Sequence, residues 1–358
     1  MSRYDREEMI RQVHALAGDA RTLHDPVLMQ VRRTADTDWT DVARVYVTGN
    51  GDSFHAALAT ELAFHTLAGV DCQAVTAMKL LRYGSLWADD TVPYGNTLVV
   101  GVSASGGNKL VIDALSRARE RGARTLAVTS TLDSQLAGAA EHGLLLPLTG
   151  LRPCPGIRTY QASLIGLLLA AIELGRVRGH QPERGGDPAA ELLTAADAVH
   201  ATAEAVRPHC RQVADWVAAA PVTMLLGSGS GYGTAVFAAA KLIEGAGVFA
   251  AAQDLEEWEH VEVLARPTTM PTIVVAAPGR SRDRAAAVAA LARRYGRRVA
   301  VVGHAGDGDL VTHADVVLPL SGQVREEFSP LLTGVFAGCL AYEVACRLGV
   351  VPFATNQP

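Results

Sequence analysis

The strongest constraint on the fold is a unit that occurs twice in each half of the chain: an apolar strand, a turn rich in glycine or serine, and a helix. These units cover residues 44–69, 96–122, 222–245 and 272–296. Strands that alternate with helices are typical of a parallel sheet with helices on both faces. The same plan in both halves indicates an internal duplication. We therefore predict an α/β fold with two similar, doubly wound parallel-sheet domains in tandem.

The predicted domain boundaries follow from length and polarity. A chain of 358 residues is long for one domain and comfortable for two. The segment RVRGHQPERGGDP between the two apolar halves is polar and contains glycine and proline, as linkers do. The predicted parts are an N-terminal helical segment (1–35), a first α/β domain (36–176), a linker (177–190) and a second α/β domain (191–358).

The composition argues against several classes of protein. Hydrophobic residues make up 49% of the chain and charged residues 19%, which fits a soluble protein with sizeable cores. The net charge of −5 gives no general attraction to nucleic acid or to an anionic membrane. The five cysteines show no metal-ligand spacing, so we expect reduced thiols and a cytoplasmic location. The charged N-terminus does not read as a signal peptide, and we expect no apolar run as long as a membrane span.

Four turns rich in glycine, serine or threonine could bind an anion. They are residues 49–53, 103–108, 129–134 and 227–234. In an open parallel sheet, ligands bind at the carboxyl ends of the strands, where helix N-termini offer free N–H groups. Ser103, Ser105 and Asn108 could wrap one phosphate, and Ser53 could approach it from the neighbouring strand. Such turns also occur as mere connections. Turn 227–234 could instead belong to a dinucleotide site, but no acidic residue closes the next strand at the expected distance.

The stretch 241–260 holds an acid and a histidine with complementary chemistry. Glu244 lies on a predicted amphipathic helix, and His260 follows sixteen residues later, after an acidic turn. A carboxylate and an imidazole are the pair needed to move a proton between adjacent carbons and to open a sugar ring. Lys241 and Glu244 could instead form a solvated surface pair. The acidic turn could suggest a divalent metal, but consecutive acids mostly face solvent and this reaction needs no metal.

Residues 44–352 resemble two sugar isomerase (SIS) domains in tandem. The turn GNGDS resembles the family's glycine-then-serine turn. The turn SASGG resembles its phosphate loop, with Asn108 in place of a threonine and Gly107 in place of an acid. AAAKLIEG matches the family's ALKLKE helix, and EEWEH stands where the family has GELKH. The chain is thus similar to the isomerase part of glucosamine-6-phosphate synthase, and to related phosphosugar isomerases and deglycases. This resemblance implies a flavodoxin-like fold for each half.

The resemblance implies a role for each matching residue. Glu244 is expected to be the catalytic base, with Lys241 supporting it. His260 is expected to open the sugar ring, with Glu257 as the structural acid of that histidine. The residues implied in phosphate binding are Gly51, Ser53, Ser103, Ser105 and Asn108, while His55 either faces the ligand or packs. The resemblance also implies a homodimer in which His260 reaches the neighbouring subunit's site, a small anionic sugar as substrate, and neither a cofactor nor a metal.

Three departures from the family narrow the expected chemistry. We expect no glutaminase domain before the two halves, and we expect the family's basic C-terminal tail, with its arginine and active-site lysine, to have no counterpart in GVVPFATNQP. Val261 and Glu262 follow the histidine where the family has Gly-Pro. We therefore expect aldose–ketose isomerisation through a cis-enediol(ate) rather than amino transfer. A fructosamine-phosphate deglycase, a sulfonated substrate and a non-catalytic sugar-phosphate sensor remain alternatives.

Overall fold

The protein contains two five-stranded sheets, in a computed structural model that describes residues 4–84, 94–276 and 278–354. The strands are β1 (Arg44–Gly49), β2 (Asp71–Thr76), β3 (Thr97–Val102), β4 (Arg124–Thr129), β5 (His142–Leu145), β6 (Thr223–Leu226), β7 (Ala250–Gln253), β8 (Pro271–Val275), β9 (Arg298–Gly303) and β10 (Val316–Pro319). The first sheet has the order β2-β1-β3-β4-β5 and the second the order β7-β6-β8-β9-β10. All neighbouring strands pair in parallel. The predicted fold class, two similar parallel α/β domains, is confirmed.

Helices connect the strands and flank them in sequence. The α-helices are α1 (Glu7–Asp38), α2 (Asp52–Leu67), α3 (Lys109–Glu120), α4 (Gln135–Ala139), α5 (Ile157–Val177), α6 (Pro188–Ala219), α7 (Ser230–Ala246), α8 (Leu255–His260), α9 (Arg282–Arg294), α10 (Gly308–Thr312), α11 (Ser329–Thr333) and α12 (Val335–Leu348). A π-helical turn occupies Lys79–Tyr83, and 3₁₀ turns occupy Glu262–Leu264 and Glu326–Phe328.

The sequence forms these elements because apolar residues face both sides of the central strands. All six residues of β3 and all five of β8 are buried, as expected for parallel strands covered on both faces. In the first sheet, Val99 belongs to a core cluster with Val111 and Leu115 of α3. In the second, Val274 belongs to a cluster with Val288 of α9. Each sheet therefore has its own core.

The chain divides into two compact units whose limits differ from the predicted boundaries. One unit contains the first sheet and comprises Gly18–Thr149 and Thr159–Leu193, and the other contains the second sheet and comprises Met1–Ala17, Gly150–Arg158 and Thr194–Pro358. The segment 1–35, predicted as a separate part, contributes to both units, and the division falls within α1, between Ala17 and Gly18. Within the predicted linker 177–190, α5 ends at Val177 and α6 begins at Pro188.

Two helices are long and apolar enough to cross a membrane by length and composition alone, contrary to the expectation from the sequence. They are Ile157–Val177 and Glu326–Leu348. Within the described structure, 94% and 78% of their most apolar windows are buried. Buried helices of globular proteins pass the same test, because a helix surrounded by core is apolar on all sides.

Candidate functional site

A cavity of about 420 Å³ lies where the first sheet changes direction, beside the carboxyl ends of β1 and β3. The chain leaves β1 toward β2 and leaves β3 toward β4, so the loops after these neighbouring strands separate and leave a crevice. The residues that line the cavity are Asn50, Asp52, Ser53, Ser103, Ala104, Ser105, Gly107, Asn108, Thr159, Tyr160 and Ser163. Most of these side chains carry hydroxyl or amide groups, which can donate hydrogen bonds to an anion.

Glycine is required at two points where the loops turn sharply. Gly51 caps α2 with a φ of 56°, a conformation that L side chains rarely adopt. Gly106 has a φ of 65°, and a Cβ atom there would overlap the side chain of Ser134. These two turns precede the first residues of α2 and α3. The N-termini of both helices therefore lie at this end of the sheet, where the N–H groups of a first helical turn can bind an anion.

Asn108 joins the two loops. Its Oδ1 accepts a hydrogen bond from the backbone N–H of Val111 at 3.3 Å, which caps α3, and a second from Nδ2 of Asn50 at 3.0 Å. Because the oxygen takes both bonds, the NH₂ group of Asn108 is the part that can donate to a bound anion. The residue that replaces the family's threonine therefore keeps both a capping function and a donor.

Four of the predicted binding residues line this cavity. They are Ser53, Ser103, Ser105 and Asn108. Gly51 contributes through its backbone conformation. His55 is buried and is not among the residues that line the cavity; its Nδ1 lies 3.5 Å from Oδ1 of Asp52.

Sequence reasoning missed three cavity residues that come from α5. Thr159, Tyr160 and Ser163 lie in the first two turns of this helix and face the same cavity. They belong to the segment GIRTYQASL, which begins at Gly156 and runs into this helix. The polar residues at the start of an otherwise apolar helix were the available signal.

In the other unit, Lys241 and Glu244 form a pair on α7. Lys241 is 0% exposed, and its Nζ donates to Oε2 of Glu244, whose side chain is 32% exposed. Nζ also lies 5.2 Å from the ring centroid of Phe237, a distance typical of a cation–π contact. The alternative of a solvated surface pair is therefore wrong for Lys241, whereas the carboxylate of Glu244 remains accessible.

His260 is the last residue of α8 and its imidazole is 66% exposed. Its Nε2 lies 3.3 Å from Oε1 of Glu256, one helical turn earlier, and Oε2 of Glu256 lies 2.7 Å from Nε of Arg284. Glu257, predicted as the structural acid of the histidine, is exposed. Both acids lie within helical reach of His260, at i,i+3 and i,i+4, and the contact goes to Glu256, the carboxylate that also meets Arg284.

Polar contacts on both sides of His260 hold the segment that carries it. Asp254 caps α8 by accepting from the N–H of Glu256 at 2.9 Å, and Oγ of Ser228 donates to Asp254 at 2.5 Å. Beyond the histidine, the guanidinium of Arg297, 3% exposed, donates to four backbone carbonyls. These belong to Glu262, Val263, Ala265 and Pro267. Burial lowers the pKa of Arg297 from its usual value.

Cys154 is not suited to act as a nucleophile. Burial raises the pKa of its thiol to about 12, and the negative charges of Glu8 and Glu244 add to the shift while Lys241 and Arg11 oppose it. The thiol is therefore protonated at neutral pH. No group of three or more His, Cys, Asp or Glu side chains among the described residues could hold a metal ion.

Comparison with known protein families finds a match, and it covers the first sheet and most of its cavity. Residues 40–150 match the family model of the SIS domain. This segment spans β1 to β5, the whole of the first sheet. It contains the loops after β1 and β3, and therefore most of the residues that line the cavity.

Similarity to the SIS-containing relatives extends over nearly the whole chain. A glutamine–fructose-6-phosphate aminotransferase (isomerizing) from Gloeobacter violaceus is 28% identical over 356 residues, covering 96% of this chain and 56% of that protein. The chain thus spans about half the length of this curated relative. The predicted resemblance to the isomerase part of such enzymes is confirmed.

Solved structures share the tandem SIS fold. The C-terminal domain of glucosamine-fructose-6-phosphate aminotransferase from Francisella tularensis superposes with a TM-score of 0.82 at 17% identity, covering 98% of both chains. A glucosamine-6-phosphate deaminase from Thermotoga maritima superposes with a TM-score of 0.74 at 18% identity, covering 97% of both chains. At these identities the likeness shows the fold alone.

Proposed function

We propose that this protein is an aldose–ketose isomerase that acts on a sugar phosphate or a similarly anionic sugar. The observation that carries the proposal is the pair of buried Lys241 and accessible Glu244 on α7, at the positions where SIS isomerases place a lysine and a base. Burying an ammonium group costs free energy unless a partner stabilises it, so we do not expect this pair to be an incidental surface ion pair. The carboxylate keeps enough exposure to meet a substrate.

In this proposal the hydroxyl-lined cavity binds the anion of the sugar. Ser53, Ser103 and Ser105 donate from their hydroxyls, and Asn108 donates from its amide. The helix N-termini at this end of the sheet add backbone N–H groups and a favourable dipole. A phosphate or a sulfonate satisfies the same donors, since both present three oxygen acceptors.

Glu244 transfers the proton in the proposed reaction. The carboxylate removes the hydrogen from C2 of the open-chain aldose, the C–H electrons form the C1=C2 bond, and O1 becomes negatively charged. A proton moves from O2 to O1, Glu244 returns its proton to C1, and O2 becomes the carbonyl of the ketose. Lys241 keeps the carboxylate oriented, and the overall reaction requires neither a cofactor nor a metal.

His260 opens the sugar ring in this scheme, by moving a proton between the ring oxygen and the hydroxyl on C1. Its imidazole is 66% exposed, which leaves it available to a second copy of the chain. We extend the proposal to a cytoplasmic homodimer in which each chain lends His260 to its partner, as the family resemblance implies. The substrate is a small molecule, with no role for nucleic acid or membrane.

Proton NMR in D₂O tests the proposal directly. The protein is incubated with fructose 6-phosphate, glucosamine 6-phosphate and a small panel of other sugar phosphates and sulfonates. We expect deuterium at C1 or C2 of at least one member, and an exchange rate lower by about a hundredfold or more in Glu244→Gln, because only the proton transfer is lost. Glu120→Gln, which removes a carboxylate at the exposed end of α3, is the matched control.

Other outcomes of the same experiment favour the alternatives. Release of ammonia or an amine from a panel member identifies a deaminase or deglycase, a chemistry that begins with the same proton transfer. Thermal stabilisation by a sugar phosphate without any exchange identifies a non-catalytic binding protein. Normal exchange by the Glu244→Gln variant contradicts the assignment of the base.

A further inference from the structure

The two sheets share one strand order, so each has a loop in the position of the proposed anion-binding loop. Tyr46 of β1 pairs with Val99 of β3, and Met224 of β6 pairs with Thr272 of β8. Seven residues beyond Val99 lies Gly106, and seven residues beyond Thr272 lies Gly279. Both glycines have positive φ, 65° and 140°. The loop after β8 is therefore the counterpart of the loop after β3.

The loop after β8 lacks the serine hydroxyl groups of the loop after β3. Ser103 and Ser105 of the first loop correspond to Ala276 and Pro278 in the second, by the same register. Neither of these residues has a side-chain donor, and proline also lacks a backbone N–H. An anion placed at the second loop would lack the donors that the first loop offers.

A carboxylate of the chain itself lies against the second loop. Oε1 of Glu326 accepts from the backbone N–H of Arg280 at 3.2 Å, and Oε2 lies 2.6 Å from Nη1 of the same arginine. A Cβ atom on Gly279 would overlap the carboxyl group of Glu326, so the loop is shaped around it. The side chain of Glu326 is only 14% exposed.

We infer that Glu326 is a built-in substitute for a bound anion, and that it closes the second loop so that each chain takes one anionic sugar, through its first sheet. The inference rests on the proposed function for the role of the first loop. The carboxylate of Glu326 occupies one guanidinium nitrogen and the backbone N–H of Arg280, two donors that would otherwise be open to a phosphate. Of the two corresponding loops, the first is thus open to a ligand, and the donors of the second are bonded to Glu326 of the same chain.

Equilibrium dialysis with radiolabelled inorganic phosphate tests the inference on the full chain. We expect one phosphate per chain for the wild type, two for Glu326→Ala, and one again for Glu326→Ala combined with Arg280→Ala, which removes the guanidinium from the opened loop. Glu327→Ala removes the same charge one residue along and is expected to bind one phosphate. Far-UV circular dichroism and thermal melting establish that each variant is folded, and Glu326→Ser, whose short side chain also empties the loop, serves if the alanine variant is not.

The outcomes separate the inference from the proposed function. A wild type that binds two phosphates, or a Glu326→Ala variant that gains none, overturns the inference. The role of the first loop is judged by Ser105→Ala combined with Ser103→Ala: if this variant binds as much phosphate as the wild type, the proposed anion site is wrong. A gain of one phosphate on removing Glu326 supports the inference in either case.

Discussion

Gly106 illustrates how single residues shape the candidate anion site. The loop after β3 turns back on itself here, and the backbone N–H of Gly106 donates to the carbonyl of Ser103 at 2.9 Å. The positive φ and the close approach of Ser134 leave no room for a side chain. Gly107, the next residue, has its nearest neighbour, Oγ of Ser105, 3.9 Å from the position of an added Cβ. The two glycines therefore differ in what they contribute, although they are adjacent.

We predict that Gly106→Ala lowers the free energy of unfolding by about 2 kcal/mol or more, because strained backbone and steric overlap add. Gly107→Ala is the matched control and should cost clearly less, since its added methyl group meets only ordinary contacts. Urea denaturation measures both. Equal losses in the two variants would contradict the packing argument for Gly106.

At the scale of elements, two arginines fix the segment that carries His260, one by contacts with α8 and the other by contacts with the 3₁₀ turn that follows it. Arg284 binds the side chains of Glu256 and Glu259 on α8. Arg297 binds the backbone of the segment after the histidine. Main-chain carbonyls that lie outside regular structure need donors, and a buried guanidinium satisfies several of them at once.

We predict that Arg297→Lys lowers the free energy of unfolding by about 2 kcal/mol, because an ammonium cannot reproduce the planar set of donors. If the segment also positions His260, turnover should fall while KM changes little. Arg298→Lys, at the next and exposed position, is the control for the loss of a guanidinium. Denaturant titration and steady-state kinetics are the measurements. A variant with full stability and full turnover would show that the carbonyl contacts are dispensable.

At the scale of the whole molecule, the proposed exchange of His260 makes the activity a property of the dimer. The chain has exposed apolar side chains in the unit that carries the histidine, including Val261 and Leu264, which flank the end of α8. Exposed apolar residues beside a functional group are common at contacts between subunits. The exchange, unlike the fold, can be tested by mixing chains.

We predict that Glu244→Gln and His260→Ala, each nearly inactive alone, regain about one quarter of wild-type activity when equal amounts are unfolded and refolded together, because half of the random dimers contain one intact site. Turnover of the substrate found by NMR measures the recovery. Refolding each variant alone is the control. A mixture that stays as inactive as its components would show that the two residues act within one chain.

The sequence by itself determined the fold class and four of the residues that line the cavity beside β1 and β3. Apolar strands that alternate with helices allow few arrangements, and loops after neighbouring parallel strands meet at one edge of a sheet. Ser53, Ser103, Ser105 and Asn108 were predictable for that reason, because each lies at or just beyond the end of its strand. The pairing of Lys241 with Glu244 was predictable from the spacing of a helix.

Only the tertiary structure decided which distant residues join these local patterns. Thr159, Tyr160 and Ser163 reach the cavity from a helix about fifty residues beyond the loop after β3, and Glu326 reaches Gly279 across a similar stretch of chain. The choice of Glu256 over Glu257 beside His260 depends on how α8 is rotated against Arg284. Such contacts depend on the path of the chain through space, which the periodicity of a single segment does not contain.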